Sequence, residues 1–224
     1  MHRNLKLGQA LIVYAYLARA RKGFKFDPKR GEYINNANGT IVKQDALETE
    51  IDAYIGYVGD NIAFQTQRLV DGKISIPAWQ RAMRKEMRDS WRTQYILGAG
   101  GVEQMTQADW GRIGGRLNQQ YKYLNGFADA IVDADFTDDK EAKKILDRAS
   151  MYADARTSFY DGRTSVKKRA DFKEERRVLI ANDKNNCANC EEFASRGWVK
   201  IGTLPEPGQG SQCLTRCRCD KEYR

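Results

Sequence analysis

All five cysteines of this 224-residue chain lie between Cys187 and Cys219, spaced as CxxC at Cys187 and Cys190, then Cys213, Cys217 and Cys219 after a gap of twenty-two residues. A two-residue spacer lets two thiolates turn inward on one knuckle, and a second group some twenty residues on can close a tetrahedron across a loop. The spacing therefore suits structural zinc. The surrounding sequence strengthens the case, because "NDKNN", "RGW" and "LPEPGQGSQ" are turn-rich and short of apolar bulk. Metal binding can supply the folding free energy that such a segment lacks.

Five thiols compete for four positions, so one is spare, and one of Cys217 and Cys219 is the candidate to pack in the core instead. Two rival readings stay open: disulfides, although an odd count leaves a free thiol, and reduced, inert cysteines. A nucleophilic cysteine has little support, since the only histidine is His2, at the far terminus. The same scarcity removes most histidine-based acid and base chemistry, and the chain is not expected to be an enzyme.

Before the cysteines the sequence reads as helix. Leu47, Ile51, Tyr54, Ile55, Val58, Ile62 and Leu69 step mostly by three and four through a proline-free stretch from Asp45 to Leu69. "DGKISIP" interrupts, Ser75 and Pro77 offer a new start, and Trp79, Met83, Met87, Trp91 and Tyr95 follow at successive fours. "GAGG" at Gly98–Gly101 ends that helix; a phosphate-cradling loop would need a preceding strand and a nearby lysine.

A third helix carries Trp110, Ile113, Leu117, Tyr121, Leu124, Phe127 and Ile131. Its Gly111, Gly114 and Gly115 would each cost about 1 kcal/mol in a helix interior, so close approach of another helix is expected there. "FTDDKEAKKILDRASMYADARTSFYDG" reads as a further helix capped by Thr137 or Asp138, and another is expected from about Val166 to Ile180. After Asn182 the helical period stops, and Trp198, Lys200 against Val199, Ile201 suggests one half-buried strand.

The start of the chain, with Leu7, Leu11, Tyr14 and Leu17 at helical spacing, reads as an amphipathic helix and not as a signal peptide, which places the cysteines in a reducing compartment during folding. The longest apolar run, Ala10–Ala18, is about half of the ~20 residues a membrane span requires, so no membrane association is expected. The formal charge of +8 favours anionic partners, but the charges are interspersed. Half of the excess sits between Arg163 and Lys184, where eight basic residues face four acidic ones. A solvated helix face joined by i,i+4 pairs is the reading adopted for residues 163–184, with DNA contact as its rival.

Two segments, "GAGGVEQMTQADWGRIGGRLNQQYKYLNGFADAI" and "CANCEEFASRGWVKIGTLPEPGQGSQCLTRCRCDKEYR", resemble the phage head morphogenesis proteins, the group that includes the Mu F-like minor head proteins of tailed bacteriophages. The second is the more specific, because CxxC, the "GW" and "GTLP" run and the terminal "CRC" follow the family's order. By this resemblance Cys187, Cys190, Cys217 and Cys219 carry the motif. The family's histidine before CRC has no counterpart here; Cys213 stands in its neighbourhood and would replace a nitrogen ligand with sulfur, which zinc accepts.

The expectation is thus a mainly α protein, a multi-helix body over residues 1–182 with long helices, and a small C-terminal cysteine-rich loop and strand module over residues 183–224. Four of Cys187, Cys190, Cys213, Cys217 and Cys219 are expected to hold structural zinc. The resemblance implies a virion structural protein, a minor capsid or head morphogenesis component assembled in the host cytoplasm, present in multiple copies and binding portal or major capsid subunits. The alternative is a nucleic-acid-binding zinc protein contacting packaged DNA.

Overall fold

The computed structural model describes residues 23–179, 186–214 and 217–224. The N-terminal amphipathic helix and His2 lie outside the described residues. The fold is mainly α, with a small strand and cysteine-rich region at the C-terminus. In chain order the elements are β1 (Phe24–Asp27), β2 (Glu32–Asn35), α1 (Gln44–Val70), α2 (Ile76–Ala99), α3 (Gln107–Ala130), α4 (Asp139–Ser150), α5 (Arg156–Arg169), β3 (Glu174–Leu179), α6 (Ala188–Ser195), β4 (Val199–Lys200) and β5 (Cys219–Tyr223), with 3-10 turns at Val102–Gln104 and Met151–Ala153. No helix among the described residues is long and apolar enough to cross a membrane.

The described chain forms two compact units. The first is built from Asp45–Thr93 and Gln107–Ala155, the second from the described residues up to Gln44, Gln94–Thr106 and Arg156–Arg224.

The first unit is an all-helical core. The periodic positions of α1 and α2 are buried, with Ile55 alone among those named left half-exposed. Trp79 is fully enclosed: its indole N–H donates to Thr66 Oγ1 at 3.0 Å, and the Thr66 hydroxyl donates back to Ile62 O at 2.8 Å. Burying this large side chain therefore leaves no orphaned donor. Phe127 of α3 meets the Trp79 ring edge-on at 5.4 Å, stacks on Tyr152 at 6.2 Å and lies under the Arg148 guanidinium at 4.5 Å. The expected helix from residue 137 onward is two helices separated by the turn at Met151–Ala153, and Asp138 caps the first, accepting from Lys140 N at 2.8 Å.

The glycines of α3 overturn one expectation. Among the described residues, a Cβ at Gly111, Gly114 or Gly115 would meet nothing within 4 Å, and all three positions are exposed, so no described helix approaches them. Each carries the backbone-entropy cost without a packing return. Replacing any one with alanine is expected to stabilise the protein by about 0.5–1 kcal/mol, read as a raised urea midpoint at unchanged slope.

Close approach occurs instead in the second unit, where the last turns of α2 cross α5. A Cβ at Gly98 would lie 1.9 Å from Phe159 O, and one at Gly162 would lie 2.4 Å from Tyr95 O. The helix then stops as the glycine cluster predicts: Gly101 N–H donates to Ile96 O at 2.8 Å and Gly100 N–H to Leu97 O at 3.0 Å, with both glycines at positive φ. Against this crossing the β1–β2 hairpin is fastened by Tyr33, whose hydroxyl donates to Gly98 O, and by Lys167, whose ammonium donates to Gly31 O among the rings of Phe26, Phe172 and Tyr223.

The helix expected from Val166 to Ile180 is corrected. α5 ends at Arg169, Asp171 turns the chain with φ +70°, and Glu174–Leu179 form the central strand of an antiparallel sheet of order β4-β3-β5. With this correction the solvated helix face disappears too. Arg163 pairs with Asp220 at 2.8 Å in the interior, Lys167 is taken by the hairpin, and the buried Arg177 donates to Pro205 O. Lys168, Arg169, Lys173 and Arg176 remain on the surface, and Lys184 lies outside the described residues.

Candidate metal centre

The two groups of cysteines, separated by twenty-two residues, converge in the second unit. Cys187 occupies the N-cap position of α6 and accepts Glu191 N–H through its carbonyl at 3.1 Å, which places Cys190 one turn on, facing the same interior. The helix N-terminus favours thiolate at Cys187, toward which the Cys190 N–H is directed. Cys213 is brought to this knuckle by two contacts. Gln212 N–H donates to the side chain of Asn189, inside the CxxC, at 3.2 Å, and the Ser211 hydroxyl lies 3.2 Å from Cys213 Sγ.

Cys217 closes the loop, its N–H donating to Leu214 O at 3.1 Å and its carbonyl accepting from Arg156 at 3.4 Å. Cys219 opens β5 opposite Leu179, and its carbonyl accepts the Tyr160 hydroxyl at 3.3 Å. Positions two apart in extended chain share a side, and both Cys217 and Cys219 turn inward and are buried.

The sulfurs form two overlapping triads, Cys187, Cys190, Cys213 and Cys190, Cys217, Cys219, each with all its Sγ atoms within 4.8 Å of one another. The separations are 3.6 Å for Cys187–Cys213, 3.5 Å for Cys190–Cys213 and 3.9 Å for Cys190–Cys217. A Zn–S bond of about 2.3 Å implies tetrahedral S···S edges of about 3.8 Å, whereas a disulfide needs about 2.05 Å. All five thiols are free. The donor set is compatible with zinc, and these three separations lie near a tetrahedral edge.

Crowding divides the protons unevenly. The Cys219 thiol and backbone N–H groups, working against burial, hold Cys217 down to about 4. Burial opposes ionisation of Cys187, but hydrogen bonds from Cys190 and Cys213 bring it to about 7. Burial pushes Cys190 and Cys213 up, and donation to Cys217 together with burial does the same for Cys219. Bringing all of these sulfurs to the thiolate form that a metal binds would require a cation among them to offset their mutual repulsion.

The loop joining the two cysteine groups is held by residues that the spacing does not reveal. Leu204 N–H donates to Glu175 Oε1 at 2.7 Å, Leu204 O accepts from Lys221 at 3.2 Å, Pro205 O accepts from Arg177, and Pro207 O accepts the Thr157 hydroxyl at 2.9 Å. Lys221 is fully buried between Glu175 at 2.8 Å and Glu206 at 3.0 Å, and Thr164 donates to the other oxygen of Glu206 at 2.9 Å. Burial raises the Glu206 carboxyl while Lys221 pulls it down. Lys221→Met is expected to cost about 3–5 kcal/mol, because it leaves two carboxylates buried without their cation, and a chemical denaturation curve would read the loss. The sequence signal is charge at alternate strand positions, Glu175 and Arg177 with Lys221 opposite Arg177, on the covered face of the sheet.

Comparison with protein-family models, with curated proteins and with solved structures finds no match to this chain. Residue chemistry and geometry therefore carry the functional argument.

Proposed function

We propose that the chain is a minor capsid or head morphogenesis component of a tailed-phage head, binding portal or major capsid subunits, and that four of its five cysteines hold one structural zinc. The observation that carries this reading is the ordered run of CxxC, "GW", "GTLP" and "CRC", whose cysteines converge in two triads sharing Cys190, with three sulfur separations near a zinc tetrahedron's edge. Zinc at that point ties α6, the loop and β5 together, giving a short, polar chain end a fixed shape. A fixed shape is what a subunit-binding surface requires, and an all-thiolate site is closed to substrate.

The test is co-assembly. Expressed with the portal and major capsid proteins of the same phage, the wild-type chain is expected in purified heads, and Cys190→Ala is expected to be depleted from them. Equal incorporation of both, or exclusion of the wild type, would count against the proposal. The nucleic-acid reading draws on the +8 charge and on the surface residues Lys168, Arg169, Lys173 and Arg176. It requires DNA affinity that falls steeply with salt, and the inward commitment of Arg163, Lys167 and Arg177 leaves it less basic surface than the sequence count suggests.

A further inference from the structure

We infer that the five sulfurs also form a site for two soft monovalent cations of the Cu(I) class, one in each triad, with Cys190 as a thiolate bridge between them. This is a second use of the same sulfurs and does not depend on the zinc reading. The mutually close sulfurs come in threes: Cys187, Cys190 and Cys213 in a partly exposed triad, Cys190, Cys217 and Cys219 in a buried one. Three thiolates around one ion make a trigonal site, which suits a d10 monovalent cation, whereas zinc takes four ligands. A metal–sulfur bond of about 2.3 Å puts trigonal edges at about 4.0 Å, and the measured edges are 3.6 and 3.5 Å in the first triad and 3.9 Å in the second. Tetrahedral edges are similar, so the grouping of the sulfurs is what favours the two-ion loading. One zinc leaves a thiol over; two trigonal ions use all five.

The donors select the ion. Neither triad includes a histidine or a carboxylate, so the set is soft throughout and gives no hold to a hard divalent cation. A thiolate keeps lone pairs after binding one ion, and Cys190 is placed to use them, being common to both triads and almost wholly buried. Leu179 packs on the buried sulfurs, which keeps water from an ion in the inner triad. Cys187 and Cys213, half-buried, leave the outer triad as the way in. Exchange with zinc needs no oxidant or reductant. Two Cu(I) bring the charge that one Zn(II) takes away, and the thiol left over under zinc gives its proton to solvent as it becomes a ligand.

The test adds Cu(I), as its acetonitrile complex under argon, to the full chain and then desalts it against a competing Cu(I) chelator. Copper and zinc per chain are read together with X-ray absorption at the copper edge. Wild-type protein is expected to keep two copper ions, each with three sulfur neighbours, and to release any zinc it carried. Cys187→Ser and Cys219→Ser each remove a sulfur of one triad only and are expected to keep one three-sulfur copper; Cys190→Ser is expected to keep none. A single copper per wild-type chain, or two held by two sulfurs each, would overturn the proposal even if every variant failed to fold. So would two three-sulfur ions in a folded Cys190→Ser chain. A wild-type chain that takes two Cu(I) but no zinc would remove the zinc reading and leave this one, and a chain that takes one zinc but fewer than two Cu(I) would do the reverse.

Discussion

Cys190→Ala is expected to purify without zinc and to lose protection from hydrogen exchange across α6, β3 and β5, while α1, α3 and α4 stay protected. Cys190 is the sulfur common to both triads, lies in the first turn of α6 and is almost wholly buried. Structural zinc contributes about 10–16 kcal/mol of apparent binding free energy at neutral pH, against a total stability of about 5–15 kcal/mol for a typical domain. Losing it removes more than the cysteine region has to spare. Were Cys190 only a small buried hydrophobe, alanine would cost about 1 kcal/mol, and exchange in α6 and β5 would barely change. Chelation of the wild type is expected to reproduce the variant's exchange pattern, which distinguishes metal loss from a packing defect.

Gly98→Ala is expected to be the most disruptive single methyl in the described chain. The added carbon would sit 1.9 Å from Phe159 O, 2.8 Å from Phe159 C and 3.1 Å from Arg163 N. All three are backbone atoms, so no side chain can swing aside, and the carbonyl of Gly98 is also the acceptor that fastens Tyr33. Separating α2 from α5 would undo the reciprocal contact at Gly162 as well. A loss above about 4 kcal/mol is expected, which at roughly 2–4 °C per kcal/mol for a chain of this size lowers the melting temperature by about 10 °C or more. Gly114→Ala is the matched control, the same chemical change in open space, and it is expected to raise the melting temperature. Similar behaviour of the two variants would mean that the crossing is looser than its geometry implies.

These two glycine positions show what the sequence makes legible. Apolar periodicity located the helices of the first unit because their cores are apolar: Leu47, Ile51, Val58, Met83, Met87, Leu117 and Leu124 are all buried. The cost of glycine in a helix implied a crossing at Gly111, Gly114 and Gly115, where no described residue approaches, since neither that cost nor periodicity says which glycine meets a neighbour. The second unit was harder to read for a physical reason. Its sheet buries Glu175, Arg177 and Lys221, whose charges are cancelled by partners distant in sequence, so "EERRVL" resembled a solvated helix.

The hairpin at Phe24–Asn35 did carry a signal, with Phe24 and Phe26 alternating before a Pro28–Gly31 turn. The cysteine centre was legible in spacing and donor type. The approach of Cys213 to the CxxC was not, because it depends on Asn189 and Ser211.

The central claim is that a metal, and not covalent cross-linking, gathers the five cysteines. Zinc content and accessible thiol count, measured on one non-reduced preparation of the full chain, test it most directly. One zinc per chain, with five thiols recovered once the metal is chelated under denaturing conditions, is the predicted result. No metal and a single recoverable thiol would mean two disulfides, and would contradict it.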